Sequence, residues 1–381
     1  MIDNYISYNA HFIDKDDQKS VANSLKNKFI TTGPLVKKFE DKLSKYLGVK
    51  FTTVCNSGTA ALHMAYDAIK LKKNDIVLMP SITFISSYNM AKTFEAKVYL
   101  VDIDMKSGQV TPESVEKCII KNKLKKIKCL VLMYLGGYPE NISNFYNLKK
   151  KYKFNIIEDA CHAFGSSYKY QKKFFKIGSC KHSDISCFSF HPLKTITTGE
   201  GGAVTTNNPR YQKAFIKFRS HGFQKKNHWD YNLINFGFNY RLNDFNCALG
   251  ISQLKKINKF LKKRENIYNF YKNNLNQFKE ISFIEFDKSI KPSFHLFVIF
   301  IKNFKKFKKD QLIKFFLKKK IILQQHYKPI YKFDIYKNKI TQNLPNADRY
   351  FMSAVSLPIH YNLSKKDLNY ILKNLKIFFN K

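Results

Sequence analysis

Residues 184–206, DISCFSFHPLKTITTGEGGAVTT, decide how the rest of the chain is read. The spacing predicts a strand over 184–190 and a polar turn holding Lys194. A glycine bend at Gly199, Gly201 and Gly202 and a second strand over 203–206 follow. An amine set beside an apolar sheet loses hydration, which disfavours its charged form. A lysine that turns neutral near physiological pH is a nucleophile for carbonyls. The competing reading is a surface lysine in a hairpin, the ordinary place for this residue type.

Outward from this segment, strands and helices alternate, as in a mostly parallel sheet with helices on both faces. Upstream, residues 154–157 read as a buried strand running into Glu158-Asp159-Ala160-Cys161-His162. A carboxylate at a strand end belongs in the crevice where such sheets build sites. Near the start, strand 52–55 leads through Asn56-Ser57-Gly58-Thr59 into a helix over 60–69. A small polar turn at a helix start offers free N–H groups to a phosphate, or is a plain helix cap. Phe84 falls just past the strand over 75–79 and its Pro80, at a site-building edge. A long apolar-faced helix over 248–271 is expected to join a large domain, 1–254, to a smaller α/β domain, 255–381. In the latter, strands are expected at 281–286, 296–301 and 321–325 and a helix at 310–319. Gln324-Gln325-His326-Tyr327, ahead of a proline bend, offers amide, imidazole and phenol groups suited to a hydroxylated ligand.

At 381 residues and 44% apolar, the chain can bury a large core. It shows no secretory leader and no apolar run near the roughly 18 residues of a membrane span, so a cytosolic, soluble protein without membrane contact is expected. The seven cysteines stand apart, without a CxxC pair or metal-ligand spacing, which fits reduced thiols and no metal. The net charge of +39 comes mostly from lysine spread along the chain, with only five arginines. Such a charge ordinarily suggests nucleic acid, but a lysine bias spread along the chain, without stacking aromatics along a basic stripe, discounts that reading and none is expected as a partner; the charge would speed the encounter with an anionic nucleotide. Arg219 and Arg241 draw notice because their planar forks grip carboxylate or phosphate in a way Lys does not.

Ser-Phe-His-Pro-Leu-Lys followed by Thr-Thr-Gly-Glu-Gly-Gly resembles the sugar aminotransferases of the DegT/DnrJ/EryC1/StrS family, fold type I enzymes that use pyridoxal 5′-phosphate. The resemblance covers nearly the whole chain. It implies that Lys194 carries the cofactor covalently; dehydratase relatives have a histidine there. It implies that Ser57, Gly58, Thr59 and Ser189 hold the phosphate and that Phe84 stacks on the pyridine ring. Asp159 is then expected at the ring nitrogen and His162 at the ring oxygen. Asn239, in GFNYRLND, is expected to reach the site of a partner subunit, so a homodimer with shared sites is implied. Tyr8, Lys28, Phe29, Ile30, Thr31, His191, Arg219, His221, Arg241, Gln324, Gln325, His326 and Tyr327 are the candidates for binding substrate.

The words FRSHGF, SQLKK, QQHYKP and SLPIH resemble the branch serving pseudaminic acid synthesis. That branch moves an amino group to C4 of a UDP-linked 4-keto-6-deoxy-N-acetyl sugar, and glutamate is the expected donor. The alternatives are another nucleotide keto-sugar of the perosamine or 4-amino-arabinose type, and a lysine-rich binding protein without catalysis.

Overall fold

A computed structural model describes residues 5–227 and 229–380. Its centre is a seven-stranded sheet: β1 (Phe51–Cys55), β2 (Ile76–Pro80), β3 (Lys97–Val101), β4 (Ile127–Met133), β5 (Asn155–Asp159), β6 (Ile185–Ser189) and β7 (Gly202–Thr206). The spatial order is β1-β7-β6-β5-β4-β2-β3. The pairs from β6 to β3 are parallel, while β7 runs against both neighbours. The sheet is therefore mostly parallel, as expected. Runs such as Cys129, Leu130, Val131, Leu132 and Met133, all buried, suit a strand covered on both faces.

Helix ends follow local chemistry. Asp14 accepts the N–H groups of Asp16 and Asp17 and caps helix Lys15–Ser24; Thr111 caps Pro112–Lys121 through Ser114. Gly48, at φ 71°, closes helix Pro34–Leu47 in the left-handed conformation.

The fold departs from expectation in two places. The long helix is two, Asp244–Lys255 and Ile257–Leu275. At the break Lys256 sends its amine to Asp14 and to buried Asp17, a tertiary ion contact that apolar periodicity does not register. Residues 321–325 form no strand and make only single bridges, Ile6 with Ile321 and Gln324 with Ser356. The segment entering FRSHG is helix Pro209–Arg219, capped by Asn208 with Pro209 at its first position.

C-terminal residues build an antiparallel sheet of Ile281–Phe283, Phe297–Ile301 and Ala354–Leu357. The two halves are sewn together. Ile290–Lys291 pairs with Ser167–Tyr168, and Gln342 both donates to and accepts from the Leu100 backbone. All seven cysteines are free. Among the described residues no helix is long and apolar enough to cross a membrane, and no His/Cys/Asp/Glu group could hold a metal ion.

Candidate active site

The parallel strands deliver their last residues to one edge: Met133 from β4, Asp159 from β5 and Ser189 from β6. Ser57 and Phe84 follow the ends of β1 and β2 at the same edge. There a cleft of about 460 Å³ opens. Because β7 returns antiparallel to β6, their connection crosses this edge and carries Lys194 into the cleft. The connection is tied by Phe190 N–H to Gly201 O (2.8 Å), Lys194 N–H to His191 O (2.8 Å) and Thr198 N–H to Phe190 O (3.0 Å). Loss of hydration lowers the Lys194 pKa from its ordinary value; the carboxylate of Asp159 opposes that shift.

Asp159 is buried. Ser87 Oγ donates to its Oδ2 at 2.8 Å and the Cys161 N–H to its Oδ1 at 3.3 Å. The neighbouring Cys161 thiol is pushed well up by burial, which keeps it protonated.

Three buried imidazoles, His162, His295 and His326, line another wall. The first two rings lie 4.1 Å apart. Burial holds His162 and His295 well below the ordinary histidine range, and His326 falls to about 3 for the same reason. All three are therefore neutral at pH 7. Gly136 N–H points to His162 Nδ1 (3.4 Å), which places the ring proton on Nε2, facing the Tyr327 hydroxyl at 2.9 Å. The Tyr327 hydroxyl then keeps its own proton for donation into the cleft.

The Ser57–Gly58–Thr59 corner is the start of helix Gly58–Ala68. Ser57 Oγ accepts the Ala60 N–H, while the first-turn N–H groups of Gly58 and Thr59 have no intrahelical acceptor and belong to residues lining the cleft. A Cβ at Gly58 would lie 2.8 Å from Ser189 Cβ and 3.2 Å from Cys161 Sγ, so only glycine leaves this corner open. Phe84, 52% exposed, presents its ring beside Tyr327, centroids 5.7 Å apart. These donors fit pyridoxal phosphate: an amine with a lowered pKa, a fixed carboxylate, an aromatic face, and a helix start with two serine hydroxyls.

Of the residues singled out in the sequence, the cleft gathers Tyr8, Ser57, Gly58, Thr59, Phe84, Asp159, His162, Ser189, His191, Lys194, Gln324, Gln325, His326 and Tyr327. It does not gather Lys28, Phe29, Ile30, Thr31, His221, Asn239 or Arg241. Thr31 bridges to Asn243, and Asn239 bridges to Ser220 and takes a hydrogen bond from Asn56 on its carbonyl. The His221 ring sits beside Phe223. Arg219 also stays outside the cleft: its Nη1 donates to Glu40 Oε1 and to the Val54 carbonyl, both at 2.7 Å, and so ties helix Pro34–Leu47 to β1. Asn9, Ser86, Cys161, Glu200 and His295 line the cleft without having been singled out. Cys161 and Asn9 adjoin residues that were; His295, in an apolar run, carries no local signal.

The profile of the DegT/DnrJ/EryC1/StrS aminotransferase family matches residues 11–376. A Campylobacter jejuni (serotype O:23/36, strain 81-176) UDP-4-amino-4,6-dideoxy-N-acetyl-beta-L-altrosamine transaminase is 39% identical over 371 residues, 97% of this chain and 96% of that protein. Helicobacter pylori PseC, described as an aminotransferase involved in the biosynthesis of pseudoaminic acid, superposes with a TM-score of 0.92. It is 30% identical, and the match covers 99% of this chain and 100% of that one. The PMP form of Spr1654 from Streptococcus pneumoniae matches with a TM-score of 0.90 at 26% identity, covering 99% of this chain and 98% of that one.

Proposed function

The chain belongs to the DegT/DnrJ/EryC1/StrS aminotransferase family of pyridoxal phosphate-dependent sugar aminotransferases, and from that premise we propose its reaction: amino transfer from glutamate to C4 of UDP-2-acetamido-2,6-dideoxy-beta-L-arabino-hex-4-ulose, in pseudaminic acid synthesis. The observation that carries this reading is the placement of the Lys194 amine, with its lowered pKa, in a cleft with the fixed carboxylate of Asp159. The 39% identity to the Campylobacter transaminase supports the choice of sugar.

Pyridoxal phosphate, when bound, supplies an electron sink for the charge left at a carbon that loses its proton. Asp159, steadied by Ser87, would hold a proton at the ring nitrogen. The N–H groups of Gly58 and Thr59, with the Ser57 and Ser189 hydroxyls, would hold the phosphate. Phe84 would cover the ring and exclude water. Lys194 moves the proton: it takes one from the glutamate α-carbon in the first half-reaction and gives one to sugar C4 in the second. Glutamate leaves as 2-oxoglutarate, and the C4 ketone becomes an amine. Neutral His326, with Gln324, Gln325 and the Tyr327 hydroxyl, offers hydrogen bonds to the sugar without adding charge.

The same reading takes the enzyme as a homodimer with shared sites. Phe223, Tyr231, Leu233 and Phe236 are exposed around the short hairpin of Phe223–Lys225 and Tyr231–Leu233, a surface suited to burial against a second copy. Asn239 and Arg241 follow that hairpin and would be carried to the neighbouring cleft. The deciding experiment is an absorbance scan of the purified protein, then glutamate, then the UDP-keto-sugar, with the product examined by NMR. Turnover of a GDP-linked 4-keto sugar in preference to the UDP compound would overturn the substrate assignment.

A further inference from the structure

We propose that Arg264 and Asn9 are positioning residues for Lys194: a buried guanidinium fixes one amide, and that amide fixes the carbonyl preceding the reacting amine. Arg264 stands on helix Ile257–Leu275 and is 3% exposed. Among the described residues no carboxylate pairs with it. Its Nη1 donates to the carbonyls of Phe294 (3.3 Å), His295 (3.3 Å) and Ile359 (2.9 Å), and its Nη2 to Asn9 Oδ1 at 3.0 Å. A cation buried without a counter-ion is costly to a fold. Burial alone brings this guanidinium down to about 10. Such a group is kept where its geometry does something an apolar side chain cannot.

Here it decides which way an amide faces. Asn9 Oδ1 accepts from Arg264 and from the Ala10 N–H (3.0 Å), and guanidinium has no acceptor with which to satisfy the amide's other end. The Asn9 Nδ2 therefore points across to the Leu193 carbonyl, 2.7 Å away. Among the described residues this is the one hydrogen bond that reaches residues 191–194 from beyond β6 and the β6–β7 connection. The others, His191 N–H to Ser189 Oγ (3.4 Å), Leu193 N–H to His191 Nδ1 and Lys194 N–H to His191 O, lie within residues 189–194. The same guanidinium holds the His295 carbonyl, so the Lys194 loop and an imidazole wall of the cleft share one anchor.

The inference rests on Lys194 being the reacting amine, and its test separates the two ideas. Asn9→Asp keeps the acceptor for Arg264 and Ala10 but removes the donor to Leu193. Arg264→Lys removes the fork without changing charge. Each variant is expected to lower kcat about ten- to hundredfold with KM for glutamate little changed, the cost of a misplaced reacting group. In the cofactor-free enzyme, acetylation of Lys194 followed by mass spectrometry against pH is expected to show a midpoint raised by about half a unit or more, as the freed amine regains water. Wild-type kcat and midpoint in Asn9→Asp overturn the proposal. So does a midpoint that moves in Asn9→Asp alone, since the added charge then explains it. Should Arg264→Lys not fold, Asn9→Ser, too short to reach both partners and uncharged, replaces it. Absence of a borohydride-sensitive visible band in the wild-type holoenzyme would instead sink the functional reading.

Discussion

Gly58→Ala tests the phosphate corner by its geometry. The new methyl would stand 2.8 Å from Ser189 Cβ, 3.2 Å from Cys161 Sγ and 3.4 Å from Ser189 Cα. Carbon atoms settle at roughly 3.5–4.0 Å, so Ser189 must retreat by about 0.7 Å or more. Overpacking of this kind costs about 1–3 kcal/mol, and the helix preference of alanine over glycine returns up to about 1 kcal/mol. The net loss of stability is then at most about 3 kcal/mol, and the protein remains folded. The effect on the cofactor is larger. Ser189 Oγ moves with its Cβ, and a hydrogen bond to a charged group is worth about 1.5–3 kcal/mol, or roughly ten- to hundredfold in affinity. Titration of cofactor-free protein with pyridoxal phosphate, alongside urea unfolding, reads both quantities. Adding Ser189→Gly removes the clash and is expected to restore the urea midpoint but not the affinity. Unchanged cofactor affinity in Gly58→Ala would refute the assignment of this corner to the phosphate.

Lys194→Ala is expected to abolish turnover and the borohydride-trapped adduct together; amino transfer near the wild-type rate would exclude the mechanism. Asp159→Asn should fold normally yet slow deprotonation of the bound amino acid at least about tenfold, read by single-turnover absorbance. Acid should weaken the fold through its buried imidazoles. Burial brings His63 and His360 to about 4 and His326 to about 3. From pH 6.5 down to those values the unfolded chain takes up protons that the native chain refuses, so stability is lost as pH falls. Each histidine costs about 2 kcal/mol by pH 5. Asp67, pushed up to about 6 by burial, works the other way and returns about 1 kcal/mol. A net loss of about 5 kcal/mol from these four groups should lower the urea midpoint between pH 7 and pH 5; an unchanged midpoint would contradict the neutral-histidine description.

What could be read in the sequence was what neighbours along the chain determine. Asp159, Ser189 and the Ser57–Thr59 turn lie at or just past strand ends, so the alternation of strand and helix was enough to send them to one edge. Lys194 was legible through its glycines and its two flanking strands. His295 was not, because an imidazole within Ser293-Phe294-His295-Leu296 has the local signature of a packed core residue; only the fold brings it 4.1 Å from His162. Arg219 drew notice through its planar fork, but the bond from its Nη1 to Glu40, 179 residues away in sequence, had no local signal. The break at Lys256 has the same origin, since its partners Asp14 and Asp17 belong to the first helix and its cap. Asn9 and Arg264, 255 positions apart, are the extreme case. Neither carries a motif, and the link between them exists only once helix Ile257–Leu275 is laid against the N-terminal segment. Side chains that perform chemistry were therefore visible through the strand ends that present them, whereas side chains that hold them in place were visible only through contacts that close long loops.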